Sequence, residues 1–175
     1  MTLQTFIFAF AVTTASSIAS LSAFADDSTI INGVTWTAVP DWGQHDDLTI
    51  GNTHGTIAIS PTGRVHINTD ADHGTPVHDP GGNLHGHIAE RFPGLHDMQL
   101  RIEHGTPYLY GAHLRGKQVV KLRLDGTHVW TLGVPMESGK YDDNPDAYNP
   151  TAVAVADDGR IYVADGYGRN WVHIF

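Results

Sequence analysis

The chain has 175 residues, 10 Lys+Arg against 19 Asp+Glu for a formal net charge of −9, and no Cys. The acidic balance argues against nucleic-acid binding, which needs a basic face to displace counterions from phosphates, and against anionic membrane surfaces; the lack of Cys removes disulfide scaffolds, Cys-ligated zinc, iron–sulfur clusters and thiol catalysis. At 41% hydrophobic and 17% charged the chain reads as globular rather than disordered, while 19 Gly and 12 His point to many tight turns and to imidazole chemistry.

The first 25 residues carry no charged side chain. Phe6–Val12 is a short apolar run, the Ser/Thr/Ala-rich stretch after it is too polar for a membrane span, and Ala23-Phe24-Ala25 fits the small-x-small cleavage rule. Residues 1–25 are therefore read as a secretory signal peptide, without a membrane span. The mature chain starts at Asp26 and is exported to the periplasm or the extracellular space.

After Thr35–Trp42, read as a stray outer strand, the chain repeats one pattern: a β run, a Gly turn, a second β run. Ile57–Ser60 turns at Pro61-Thr62-Gly63 into Val65–Asn68. Met98–Ile102 turns at His104-Gly105 into Tyr108–Tyr110. Val153–Val155 turns at Asp157-Asp158-Gly159 into Ile161–Val163. Gly63, Gly105 and Gly159 lie 42 and 54 residues apart, the wider gap holding the polar insert Glu137–Asn149. The middle copy spells four strands, Met98–Ile102, Pro107–Ala112, Gln118–Leu124 and Thr127–Leu132. A repeat of this length with four strands is the signature of a β-propeller blade; a β-sandwich with similar hairpins is the alternative. The fold class is all-β, a propeller with about two and a half blades, in repeats near 51–94, 95–149 and 150–175 of a domain spanning 26–175.

Pro150–Phe175, with Pro before the first strand, a D-G turn and I-Y-V-A-D on the second, resembles an NHL repeat, and Leu95–Gly133 resembles the unit before it. Asp165-Gly166-Tyr167, with His96 71 residues earlier, is similar to the peptidyl-α-hydroxyglycine α-amidating lyases and their bacterial relatives. That resemblance implies a six-bladed propeller for the complete protein. It implies zinc on three His from alternating blades, a calcium held partly by backbone carbonyls, and cleavage of a C–N bond to give a peptide amide and glyoxylate. Carried over residue by residue, it makes His96 a zinc ligand, the Met98 carbonyl a calcium ligand and Tyr167 the active-site tyrosine. The family arginine has no counterpart at Asn68-Thr69-Asp70, and the other two zinc His would lie in later blades. The chain thus reads as the N-terminal portion of such a propeller.

Among the remaining candidates, His54 in Thr53-His54-Gly55 occupies the place of His96 one blade earlier and is a second metal candidate at the channel mouth. His85-Gly86-His87 would set two imidazoles on one face of a strand. Asp142, Asn144 and Asp146 have calcium-loop spacing, but Ala147 and Val153 stand where an EF-hand needs Gly and Glu, so the insert reads as an acidic surface loop. Two functions are expected. The first is an exported binding module that takes a peptide or small-molecule ligand at the channel mouth and self-associates to cover open blade edges. The alternative is a zinc-dependent lyase acting on peptidyl-α-hydroxyglycine once the ring is complete.

Overall fold

The computed structural model describes residues 28–175; the signal-peptide reading falls on residues outside that range. Two compact units part after Asp41. The described part of the first is a hairpin of β1 (Ser28–Ile31) and β2 (Val34–Thr37), paired through Ile31↔Val34. Its turn residues Asn32 and Gly33 both have positive φ, as a two-residue hairpin loop requires. This hairpin replaces the expected single strand over Thr35–Trp42, and Trp42 begins the second unit.

The second unit is a series of antiparallel meanders. The first sheet has the order β3 (Ile57–Ile59), β4 (Val65–Ile67), β5 (Thr75–His78), β6 (Leu84–Ile88). The second has β7 (Leu95–Glu103), β8 (Thr106–His113), β9 (Gln118–Arg123), β10 (His128–Leu132). The third has β11 (Ala152–Val155), β12 (Ile161–Ala164), β13 (Val172–Ile174). β7 lies against both β3 and β11, so the first strand of each sheet meets the first strand of the next. Four-stranded up-and-down sheets stacked face to face on their inner strands are propeller blades, and the fold is a partial propeller.

Alternation along the strands divides the core into two layers. Ala58, Val77 and Ile88 of the first sheet pack against Leu95, Met98, Leu109, Val120 and Leu122 of the second. The opposite face of the second sheet, with Tyr110, Ala112 and Val119, packs against Val153, Val155 and Val163 of the third. Tyr141 and Tyr148, from the insert expected to be a surface loop, are fully buried in this second layer. Asp142, Asn144 and Asp146 between them are exposed, so the insert is half plug and half surface. In β6 the pairing shifts register opposite Val77/His78. That irregularity interrupts the simple alternation expected at His85-Gly86-His87, and the His87 ring lies against His73 at 4.7 Å.

Candidate functional site

Three rings converge at one end of the inner strands. His96 is the second residue of β7, His54 lies three residues before β3, and Tyr167 follows β12. The His54 and His96 rings stack at 4.2 Å between centroids, 22° apart. The Tyr167 ring meets His96 edge-on at 5.1 Å and 90°. The structure thus brings together three of the four sequence-derived site residues. The fourth, Met98, buries its side chain in the core with its sulfur 3.8 Å from the Thr75 hydroxyl, and only its backbone is left for the role assigned to it.

Local backbone geometry explains how His96 is aimed. Leu95 pairs with His113 and Asp97 with Ala112, so His96 is the extra residue of a β-bulge. Bulges re-aim one side chain while the strand continues on either side. The Asn68 amide donates to the His96 carbonyl at 2.7 Å and the Asn68 carbonyl oxygen accepts from Thr56 N–H, which ties the bulge to the first sheet. Next to it, the Asp97 carboxylate accepts the Thr56 hydroxyl on one oxygen at 2.6 Å and the Val153 N–H on the other at 2.8 Å. One side chain therefore joins all three sheets directly beneath the rings.

The tautomer of His96 follows from its partner. Its Nδ1 lies 2.8 Å from the Thr151 carbonyl oxygen, which can only accept, so Nδ1 carries the proton. In the neutral ring Nε2 then holds the lone pair, and it is buried without a hydrogen-bond partner among the described residues. His54 is exposed, and Tyr167 is 65% exposed. Beside His54, the Asn52 side chain first, then its backbone N–H, Arg115 and His54 hold the Asp70 carboxyl below the usual carboxylate range, against an opposing desolvation. Arg115 donates to the Asp70 carbonyl at 2.7 Å and pairs with Asp72 at 3.1 Å. A guanidinium thus reaches the segment after β4 from the turn between β8 and β9, where Asn68-Thr69-Asp70 supplies none of its own.

The Tyr167 turn is built on Asp165, which is fully buried. Its carboxylate accepts the N–H groups of Asn149 and Arg169, both at 2.7 Å, and the Tyr141 hydroxyl at 3.0 Å. The Tyr141 oxygen also lies 2.6 Å from His173 Nε2. Burial, then the hydrogen bond to Asp165, pushes the Tyr141 phenol well above its ordinary value, so it stays protonated. Burial lowers His173, partly offset by Asp165. A Cβ at Gly166 would run into the Thr151 hydroxyl, and one at Gly168 into the Asp165 carboxylate and the Ala147 carbonyl. The two glycines flanking Tyr167 are thus required by close approach. The Asp165 side of this network was visible as the D-G-Y segment; Tyr141 and His173 carried no sequence signal that marked them as its partners.

Zinc at a catalytic site takes three protein ligands and leaves a fourth position open. His96 and His54 supply two imidazoles, and among the described residues no three His, Asp or Glu side chains are placed to hold one ion. Calcium asks for six or more oxygens, of which the Met98 carbonyl would be one. The described residues thus fall short of a complete site for either metal.

The NHL repeat family model matches residues 148–175. No curated protein matches the chain. Among solved structures, a candidate exported protein of Bacteroides fragilis is 12% identical, with a TM-score of 0.49 over 69% of this chain and 32% of that one. A catalytically inactive virginiamycin B lyase from Staphylococcus aureus, with quinupristin, is 13% identical, with a TM-score of 0.47 over 68% of this chain and 39% of that one. A streptogramin B lyase structure is 12% identical, with a TM-score of 0.47 and the same coverage. The chain thus spans 32% to 39% of the length of these structures. Among the described residues no helix is long and apolar enough to cross a membrane. The chain is built of propeller-type blades, and its third blade carries an NHL repeat.

Proposed function

We propose that this protein is an exported propeller module that binds a peptide or small-molecule ligand where His54, His96 and Tyr167 meet. The observation that carries the reading is the His96 Nε2, without a partner among the described residues, oriented as an acceptor by the Nδ1 contact to Thr151 and flanked by two rings. Such a site offers one buried acceptor, an exposed imidazole and an exposed phenol: a hydrogen-bonding floor with aromatic walls, suited to a polar group on a flat or apolar body. Export rests on the residue pattern of positions 1–25. The test is a ligand screen followed by ring 15N chemical shifts of His96. Binding that moves the Nε2 resonance and is lost in His96→Phe supports the site; ligands that leave it unmoved refute it.

The fixed tautomer of His96 favours a second reading, an amidating-lyase-like carbon–nitrogen lyase. A histidine that presents Nε2 while Nδ1 donates to a carbonyl is oriented as metal-bound histidines are. In that reading His96 and His54 would hold zinc only together with further donors, the Met98 carbonyl would be one oxygen of a calcium site, and Tyr167 would take the proton of the substrate hydroxyl. Glyoxylate release from a peptidyl-α-hydroxyglycine in the presence of zinc, abolished in Tyr167→Phe, supports it; no glyoxylate at saturating zinc removes it.

A further inference from the structure

The first and second sheets leave a cavity of about 280 Å³ between them. It lies at the end of β3 away from His54. The Ser60–Arg64 turn forms one wall, and Leu124 and Asp125, between β9 and β10, line it from the second sheet. Its origin is in the sequence of β6. Val77 pairs with His66 on one side and with Gly86 on the other, so all three share the face turned toward the second sheet. Gly86 brings no side chain to that face, and a Cβ on it would meet nothing within 4 Å. Leu84 pairs with His78 and Gly86 with Val77, so His85 is the extra residue of a bulge, a device that re-aims one side chain. His85 and His87 both line the space that Gly86 leaves.

The walls have a chemical preference. His66 is 2% exposed, and neither of its ring nitrogens has a hydrogen-bond partner among the described residues; the His87 Nε2 is in the same condition. A buried polar group left unpaired is costly, and a ligand atom would supply the missing partner. After burial, what opposes a proton on His66 is the charge of Arg64. Among the described residues that guanidinium has no carboxylate partner. The Asp125 carboxylate, also in the wall, accepts the Thr127 N–H at 2.9 Å and has Arg123 nearby, so its charge is engaged within its own turn. The Ser60 and Thr62 hydroxyls lie 3.0 Å apart and share one hydrogen bond, which leaves one hydroxyl proton over. Val77, Ile88 and Leu124 make the remaining surface apolar.

We propose that this cavity is a binding site for a small organic carboxylate. Arg64 takes the carboxylate, since the guanidinium fork matches its two oxygens. The spare hydroxyl proton and the imidazole N–H groups add donors, and Val77, Ile88 and Leu124 hold an apolar body. The volume lies just below the about 300 Å³ at which drug-sized sites begin, so the ligand is small. The site is separate from the rings at His54, His96 and Tyr167, which gather at the other end of the inner strands, and it needs only the first two sheets.

The test is a titration of the isotope-labelled chain near neutral pH with benzoate, benzamide and inorganic phosphate, followed through the ring 15N signals of His66, His87 and His96. Benzoate is expected to move the His66 and His87 rings and to leave His96 in place. Arg64→Ala alters an exposed side chain, so the urea midpoint should hold while benzoate binds about tenfold more weakly or worse. Benzamide keeps the apolar body without the charge and should also bind about tenfold more weakly. Phosphate, which has no apolar body, should bind more weakly than benzoate. The proposal is overturned if tens of millimolar benzoate leave both rings unmoved, or if Arg64→Ala binds benzoate as the wild type does. Benzamide or phosphate matching benzoate overturns the ligand class. A shift confined to His96 also overturns it, because the carboxylate would then sit at the other end of the strands.

Discussion

His66 is the side chain by which the packing of the first blade is most directly measured. It is 2% exposed, at the centre of β4, facing the second sheet, and neither ring nitrogen has a hydrogen-bond partner among the described residues. Burial first, and the nearby Arg64 charge second, lower it from 6.5 to about 4. The sign follows directly. The unfolded chain takes up a proton near pH 6.5 while the folded chain resists it to about pH 4, so protonation favours unfolding. Stability from this group is fully present above the unfolded value and is lost as pH falls through the window between the two. Each pH unit descended inside that window removes about 1.4 kcal/mol, so this residue alone costs about 2 kcal/mol by pH ~5 and about 3 kcal/mol by pH ~4. His66→Leu is close in volume, removes both unpartnered nitrogens and cannot titrate. Urea unfolding at about pH 7.5 and about pH 5 measures the difference. The wild type should lose about 2 kcal/mol more than the variant between those two conditions. At the higher pH the variant should be as stable as the wild type or more so, because a buried polar group without a partner is itself unfavourable. Parallel pH dependences in the two proteins would refute the reasoning, for they would mean that His66 reaches water or a partner in the folded state.

Three further outcomes follow from contacts described above or adjacent to them. Asp97→Ala leaves the Thr56 hydroxyl and the Val153 N–H without their acceptor and should cost about 2–3 kcal/mol, read as a lower urea midpoint with an unchanged m-value. Asp165→Asn keeps the volume but turns an amide donor toward N–H groups that also donate; unfolding should come about 2 kcal/mol earlier, and the nuclear Overhauser contacts between Tyr167 and His96 should weaken. Glu103→Ala strands Lys121, which is 8% exposed, 2.6 Å from the Glu103 carboxylate and 4.1 Å above the Tyr108 ring. A loss of about 3 kcal/mol is expected there, restored in large part by adding Lys121→Met, and a thermal or urea comparison of the single and double variants decides it.

Much of the blade architecture was legible because it is written locally. The hairpins at Gly63, Gly105 and Gly159 combine β-branched alternation with positive-φ turn residues, and each sits where the spacing placed it. β5 and β6 were harder to see: Thr75–His78 contains Pro76 and β6 is Leu-His-Gly-His-Ile, so neither has a clean alternating pattern. The insert misled in the other direction. Its charge suggested a solvated loop, yet Tyr141 and Tyr148 are buried because the third sheet offers them an apolar layer and Asp165 a hydrogen bond, neither of which is encoded nearby in sequence. For the site, the meeting of His54, His96 and Tyr167 was anticipated by their places at blade mouths. The bulge that turns His96 and the Thr151 carbonyl that fixes its tautomer depend on pairings across 18 and 55 residues, beyond the reach of any local motif.

The carboxylate of Asp97 sits at a junction of unusual economy. Because its two oxygens hold neighbours on opposite sides, neither joint can loosen without disturbing the other's anchor, and both disturbances arrive at the residue adjoining His96. A molecule settling on the rings would thus tighten the seams between blades, and a seam prised apart anywhere along the inner strands would blunt the rings. Were the proposed ligand bound there, its occupancy and the cohesion of the blades would be coupled through this carboxylate, and resistance to proteolysis would report on both.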